Sequence, residues 1–217
     1  MESYSQCGQD IFVLNLLGEG GSFLDLGCYL PKKINNTYLL EKNGWSGLSI
    51  DIEDYSKQWE SRKNKFIQMD CLTSDYKSFL DENPLGKKKL IDYLSIDMEN
   101  LGDRYRVLDK IMSTGYDFKI ITIEHDSHLG NEYILEEKNK QITLLKKLGY
   151  YLLCEDVSNY KNPEMFYEDW WINPNFIEIK EVEKWRSKKS SCNEIFSRVG
   201  IEYNINDISK NWDDYKL

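Results

Sequence analysis

Short apolar runs alternate along the chain with amphipathic or polar stretches of helical length. Seven runs have the length of buried strands, at 21–28, 47–53, 65–70, 90–99, 118–125, 150–154 and 164–172. The first, second, fourth and fifth runs are apolar on both faces over most of their length. That pattern is typical of a parallel sheet covered by helices on both sides.

Stretches with helical character lie between these runs, at 35–43, 54–63, 73–82, 104–114 and 132–148. Before the first strand, an apolar set has the spacing of a helix that packs on a sheet: Ile11, Phe12, Leu14 and Leu17. Such alternation predicts right-handed βαβ crossovers within one sheet. We therefore predict an α/β fold, a Rossmann-like doubly wound and mostly parallel seven-stranded sheet with an antiparallel closing hairpin.

The length of 217 residues suits one domain with one core. We predict a single domain over 1–217, in which 1–20 form an N-terminal helix or lid and 175–217 form a C-terminal helical extension. Hydrophobic residues make up 41% of the chain, yet no stretch approaches the ~20 apolar residues that span a bilayer. The first six residues have neither a basic nor an apolar region of the kind that begins a secretory signal. We therefore expect a cytoplasmic protein with no membrane partner.

The net charge of −9 disfavours nucleic acid as a partner, because such binding depends on neutralising phosphates. Two basic stretches, at 87–89 and 186–189, are more simply a solvated loop and a solvated helix end. The five cysteines contain no CxxC pair, which argues against a zinc ribbon or a disulfide framework. With only two histidines, a His-rich metal site is excluded.

Acidic residues end nearly every predicted strand, where an open α/β sheet binds its ligands. They are Asp25, Asp51, Asp70, Asp97 with Glu99, and Glu124 followed by His125. A row of acids at one edge would repel itself unless a cationic or polyhydroxyl ligand lay there. S-adenosylmethionine, with its sulfonium, ammonium and ribose diol, has that chemistry.

The acid after the second strand is the most specific of these. Asp51 lies where nucleotide-binding sheets hold the ribose hydroxyls, although it is alternatively an N-cap for the next helix. The turn after the first strand has Gly27 but none of the further glycines of a dinucleotide site. The sequence therefore disfavours NAD and FAD, whereas a donor without a phosphate needs no such cradle.

Six pieces, in order and spacing, resemble the FkbM-type family of class I S-adenosylmethionine-dependent methyltransferases. They are 4–10 (YSQCGQD), 23–27 (FLDLG), 36–41 (NTYLLE), 44–48 (GWSGL), 91–99 (IDYLSIDME) and 121–125 (ITIEH). The resemblance covers residues 4 to 174. It implies the class I methyltransferase fold, S-adenosylmethionine as methyl donor, S-adenosylhomocysteine as product, and O-methylation of a sugar, glycan or small natural product.

The resemblance also implies roles for single residues. By matching position, Asp25 and Gly27 shape the methionine end of the donor site, and Asp51 holds the ribose. Asp70 lies near the adenine, and Asp97 faces the ammonium or the acceptor. The matching pair Asn36 and Thr37 is assigned to donor binding as well.

Two departures from the family pattern stand out. The loop at 28–33 lacks the small residues common in the family, and Asn100 stands where a glycine is usual. Because of the first departure, the donor contacts of this loop are not assigned from the family pattern.

Transfer to a hydroxyl requires alignment of acceptor, methyl and sulfur, and removal of the acceptor proton. The candidates for the base are Asp97, Glu99, Glu124 and His125. Asp97 or Glu99 is preferred, since side chains two apart on a strand share a face. Glu99 is alternatively a structural carboxylate.

A divalent metal is an alternative use of the same region. Its ligands would be His125, His128, Asp97, Glu124 and Asp126, an oxygen-rich set suited to Mg²⁺ or Ca²⁺. We predict no metal, because acids at strand ends need none to be explained.

Two further features have two interpretations each. Trp170 and Trp171 line a sugar-binding mouth or, more simply, pack in the core. The segment 8–10 folds over the donor as a lid, or begins the helix that packs on the sheet. Competing functions are a nucleotide-sugar enzyme of another class and a non-catalytic binding domain on a similar sheet.

Overall fold

The computed structural model describes residues 1–85, 89–99 and 103–205. The basic residues Lys87 and Lys88, the departure at Asn100 and the segment 206–217 lie outside the described residues. Within the described part, no helix combines the length and the apolar character that crossing a bilayer requires.

The described strands are β1 (Glu2–Ser3), β2 (Ser22–Leu26), β3 (Ser46–Asp51), β4 (Lys65–Gln68), β5 (Leu90–Ile96), β6 (Asp117–Glu124), β7 (Tyr151–Ser158), β8 (Phe166–Ile172), β9 (Ser187–Ser191) and β10 (Asn204–Ile205). The described α-helices are α1 (Gln9–Leu17), α2 (Tyr38–Lys42), α3 (Ser56–Trp59), α4 (Tyr76–Glu82), α5 (Arg104–Met112), α6 (Glu132–Lys147), α7 (Ile179–Val182) and α8 (Cys192–Val199). Two 3-10 turns follow β6 and α7, at Ser127–Leu129 and Glu183–Trp185.

Eight of these strands form one sheet in the order β4-β3-β2-β5-β6-β8-β7-β9. Only β8 runs antiparallel to its neighbours in that sheet. All seven predicted strands are present, and the antiparallel hairpin is β7 with β8, so the predicted fold class is confirmed. The strand count differs, because β9 adds an eighth strand beside β7.

Each buried strand separates two apolar layers. Phe23 and Trp170 face the layer that includes α1 and α8, whereas Leu24 and Trp171 face the layer formed with α4, α5 and α6. Both tryptophans are fully buried, so they pack in the core and do not line an open mouth. Sequence neighbours on a strand therefore serve opposite layers of the molecule.

The segment after β8 differs from its prediction. The expected C-terminal helical extension contains α8, which begins with a capping box of Ser191 and Glu194, but it also contributes β9 to the sheet edge. The basic stretch at 186–189 is therefore mostly strand. Two of its cations are paired at the surface, Arg186 with Glu183 and Lys188 with Glu155.

The predicted polar surface helix at 54–63 is also shorter than expected. Only Ser56–Trp59 is helical, and Trp59 and Arg62 are both buried. The sequence pattern missed this because a buried arginine looks polar until its partners are known.

Candidate functional site

A row of polar side chains crosses four neighbouring strands near their carboxyl ends. In register from β3 to β6, this polar row is Ser49, Asp25, Ser95 and Thr122. All four are buried, on the face that includes Phe23. A continuous polar row inside a sheet costs free energy unless its groups find partners, so its position is a candidate for a functional site.

Asp25 is the charged member of the polar row, and only 1% of its surface is exposed. Burial raises the pKa of Asp25 to about 7, although hydrogen bonds from Ser95 and Thr37 lower it. The Thr37 hydroxyl donates to Asp25 Oδ2 at 3.1 Å. Asp25 and Thr37, two predicted site residues, are therefore in direct contact.

Gly27 permits the close approach of β2 and β5 where both strands end. Its φ is +79°, and an added Cβ would lie 1.8 Å from the carbonyl oxygen of Asp97. No residue with a side chain fits there without moving the backbone. The one glycine in this turn thus lies where the close approach of β2 and β5 requires a glycine.

Asn36, in the loop before α2, contacts the carboxyl end of β5. Its amide nitrogen donates to Ser95 Oγ at 3.0 Å and lies 3.4 Å from Asp97 Oδ2. Among the described residues, neither Asn36 Oδ1 nor the Ser49 hydroxyl has a hydrogen-bond partner, although both atoms are buried. Orphaned buried acceptors in a site need a ligand or water to satisfy them.

Asp51 lies at the end of β3 and holds the glycine-poor loop. Its carboxylate accepts from the backbone N–H groups of Tyr29 at 2.9 Å and Glu53 at 3.0 Å. Each carboxylate oxygen keeps further acceptor capacity beyond one such bond. Asp70, after edge strand β4, instead caps a local turn by accepting from Leu72 N–H at 2.8 Å.

Asp97 and Glu124 meet at the ends of β5 and β6. Arg104 binds Glu124 directly and Asp126 at 2.9 Å, and it donates to the Met98 carbonyl at 2.8 Å. Burial and the charge of Asp97 raise the pKa of Glu124 well above its usual range, and burial raises the pKa of Asp97. The two acids share one environment in which full ionisation of both is disfavoured.

Glu168 is a member of this acidic region that the sequence analysis did not select. It lies opposite Glu124 in the antiparallel register and accepts from Gln9 at 2.8 Å and Trp170 at 2.6 Å. Burial raises the pKa of Glu168 to about 8, and the charge of Asp97 adds to the rise. Gln9 brings the N-terminal segment to the site, where the lid interpretation requires it to be.

His125 and Glu99 lie away from these acids. His125 follows Glu124 by one residue, so its ring is directed to the opposite face of the sheet. There it is 1% exposed and lies 3.3 Å from Asp169. Strand β5 ends at Ile96, so strand alternation does not place Glu99 beside Asp97. The Glu99 side chain is exposed instead.

The buried network around His125 contains two carboxylates and an ammonium. Asp156 binds Lys138, and Asp169 lies 3.7 Å from the same ammonium. Burial would raise the pKa of Asp169, but His125 and Lys138 together hold it below its usual value. Asp156 adopts a left-handed backbone conformation, with φ of 59°, at an irregularity in β7.

This network has the residue types of a metal site, but its hydrogen bonds favour the His125 tautomer that does not suit a metal ligand. His125 Nδ1 accepts the Ser127 N–H at 3.0 Å, so a neutral ring carries its proton on Nε2, the atom that faces the aspartates. A histidine that ligates a metal instead donates its second N–H to an acceptor. The alternative metal set is not assembled either, because Arg104 already binds Glu124 and Asp126 while His128 contacts the Phe166 carbonyl.

Two open grooves lie away from the strand ends. One of about 770 Å³ is lined by residues of β7, β9 and α8, and one of about 490 Å³ lies between 73–77 and α5. Neither includes an acid from the ends of β2, β3 or β5. The acidic region therefore differs from both grooves in position and charge.

Seven strands of the sheet have the spatial order β4-β3-β2-β5-β6-β8-β7, in which β8 alone is antiparallel. This arrangement defines the class I methyltransferase fold. A Streptococcus mutans protein described as a SAM-dependent methyltransferase has a similar structure, with a TM-score of 0.53 and 13% sequence identity. The match covers 75% of this chain but only 47% of the other, so the chain spans about half the length of that protein.

Two other solved structures are more distantly similar. A SAM-dependent methyltransferase from Archaeoglobus fulgidus has a TM-score of 0.42 and 18% identity, over 66% of this chain and 69% of the other. A dimethyladenosine transferase from Plasmodium falciparum has a TM-score of 0.45 and 15% identity, over 84% of this chain and 67% of the other. No protein-family model matches the chain, and no curated protein matches it.

Proposed function

We propose that the chain is an S-adenosylmethionine-dependent methyltransferase of the FkbM type that methylates a hydroxyl group of a sugar, glycan or small natural product. One observation carries this proposal. Asp25, Asp51 and Asp97 come from the ends of three adjacent parallel strands, where this fold binds its ligand. A cationic donor relieves the repulsion among them.

The proposed donor contacts follow from the chemistry of the groups present. S-adenosylmethionine supplies a methyl group that its sulfonium has already activated. Asn36 Oδ1 offers an acceptor to the donor ammonium, and Asp51 has unused acceptor capacity for the ribose hydroxyls. Gly27 allows the backbone of the first turn to lie directly against the end of β5.

In the proposed reaction, Asp97 accepts the proton of the acceptor hydroxyl as that oxygen attacks. Burial raises the pKa of Asp97, which favours its role as a proton acceptor. Arg104 binds Glu124 and Asp126 and so holds these two carboxylates in place near Asp97. This assigns Asp97 as general base, with Glu124 as its partner.

A small-molecule or glycan acceptor is supported by charge. The net charge of −9 would repel a polyphosphate chain, and the acids of the site are only partly balanced by Arg104 and Arg62. Hydroxyl groups are uncharged and bind carboxylates well. We therefore propose an uncharged, hydroxylated acceptor in place of nucleic acid.

Thermal unfolding with candidate ligands tests this function. S-adenosylmethionine and S-adenosylhomocysteine should each raise the melting temperature, because a ligand of the folded state stabilises it by mass action. NAD and a nucleotide sugar should not. Asp51→Ala should abolish the shift, whereas Asp54→Ala, an exposed control three residues away, should keep it.

The outcomes separate the competing functions. A shift with the nucleotide sugar alone would favour a different enzyme on the same fold. No shift with any of the four ligands would favour a non-catalytic domain. An unchanged shift in Asp51→Ala would remove the ribose role from that residue.

A further inference from the structure

Arg62 is a fully buried cation on the flank of the proposed donor site. Its side chain has no exposed surface, and its guanidinium lies 4.5 Å from the Trp59 ring and 5.3 Å from the Tyr38 ring. Its Nε is 3.0 Å from a carboxylate oxygen of Glu41. A buried arginine is retained only where several partners compensate its desolvation.

Three partners of Arg62 lie on the loop that joins β2 to α2, residues 27–37, which includes the glycine-poor stretch 28–33. It donates to the Pro31 carbonyl and to Asn35 Oδ1, the latter at 3.1 Å, and its other terminal nitrogen lies 3.3 Å from Thr37 Oγ1. One side chain therefore contacts the loop at three points in its middle and its second half. These contacts span residues 31 to 37.

That loop needs an external restraint, because two of its residues have strained backbones. Tyr29 and Ile34 adopt left-handed conformations, with φ of 47° and 48°. Each costs about 1–2 kcal/mol for a residue with a side chain, and bulky residues adopt them only when their surroundings enforce it. Trp59 adds a second restraint by donating to the Tyr29 carbonyl at 2.8 Å.

Thr37 connects the restraint to the site. Arg62 can only donate, so the Thr37 hydroxyl accepts from it and keeps its own proton for an acceptor. One acceptor in reach is Asp25 Oδ2 at 3.1 Å. The path from Arg62 through Thr37 to Asp25 thus couples the loop to the charged member of the polar row.

We propose that Arg62 is a positioning residue for the donor site. It holds the loop after β2 in the conformation that binds the donor, a conformation that a glycine-rich turn would adopt without such a restraint. The inference rests on the proposed function, because the donor is its ligand. Arg62 need not touch the donor. It acts through Thr37 and the loop backbone.

Calorimetric titration with S-adenosylmethionine tests the inference on five proteins: wild type, Arg62→Met, Arg62→Lys, Thr37→Val and the control Arg106→Met. Arg62→Met should weaken donor binding by about tenfold or more, the size typical of groups that orient a ligand's direct partners. Arg62→Lys should recover part of the loss, since it keeps the charge but not the planar fork. Arg106→Met, which removes an exposed arginine, should bind as wild type does.

A pH series distinguishes positioning from a merely structural role. The charged or titratable groups that face Asp25 are Arg62, Asp97, Tyr93, Cys28 and Cys71. Since Arg62 lowers the pKa of Asp25, its loss should move the midpoint of pH-dependent donor binding to higher pH. Arg106→Met should leave that midpoint unchanged.

The failures of the two proposals are distinguishable. If wild type does not bind the donor, the proposed function fails first. If wild type binds but Arg62→Met and Thr37→Val retain its affinity and pH midpoint, Arg62 is structural only. Should Arg62→Met not fold, Arg62→Lys and Thr37→Val decide the matter, because Thr37→Val removes only one contact of Arg62 and leaves its Glu41 ion pair and its bonds to Pro31 and Asn35 intact.

Discussion

Replacing Asp25 by asparagine should increase the stability of the protein relative to wild type as the pH rises. In the folded protein, burial raises the pKa of Asp25 from 3.8 to about 7. The folded state therefore binds this proton more tightly than the unfolded chain does. Its contribution to stability is complete below pH 3.8 and is lost as the pH rises through about 7.

The magnitude follows from the shift. About three pKa units at ~1.4 kcal/mol each give up to ~4 kcal/mol for a fully buried group. The asparagine side chain has no charge to bury, so the stability of Asp25→Asn relative to wild type should rise by up to that amount between about pH 4 and about pH 8. Other buried acids such as Glu168 remain in both proteins and cancel in the comparison.

Urea unfolding of both proteins across this pH range measures the difference. The free energy of unfolding at each pH comes from linear extrapolation, and the slope with urea checks that the unfolded state is unchanged. Asp54→Asn is the matched control, because that carboxyl is fully exposed and its pKa lies below the range tested. A difference between wild type and Asp25→Asn that stays flat with pH would refute the reasoning.

Two further substitutions test the architecture around the site. Gly27→Ala should destabilise the fold by roughly 3 kcal/mol or more in urea unfolding, because the new methyl group meets backbone. Gly115→Ala, with a similar positive φ but open space around it, should cost only about 1–2 kcal/mol, and equal losses would contradict the close approach. Lys138→Met should cost about 3–5 kcal/mol by leaving buried carboxylates without their cation. Lys140→Met, at an exposed pair, should cost less than about 1 kcal/mol, and a loss as small for Lys138 would show that the network is not tightly coupled.

The strand ends were predictable because hydrophobic runs and acids leave a strong local signal. The sequence contains a further signal for the polar row: the tetrapeptide LSID occurs at 48–51 and again at 94–97. In each copy a serine interrupts a buried strand two residues before an aspartate. Those serines flank Asp25 in the polar row.

Other parts of the site depend on contacts that no local pattern contains. The sequence around Arg62 is typical of a surface residue, because its hydrogen-bond partners lie up to 31 positions away along the chain. The sequence places His125 beside Glu124, but adjacent positions on a strand point to opposite layers, so the fold separates His125 from the acids. Strand β9 has the sequence SKKSS, which lacks the apolar character by which strands are recognised.

The parallel pairing of β1 with β10 joins residues 2–3 to residues 204–205. The same N-terminal segment supplies Gln9, whose amide reaches Glu168 beside the acids of the site. The packing beside the acids of the proposed site is thereby tied to a distant stretch of sequence through two short strands. Removing the residues from 204 onward would free the N-terminal segment at one end, so a truncation remote from the proposed site would loosen the packing beside it.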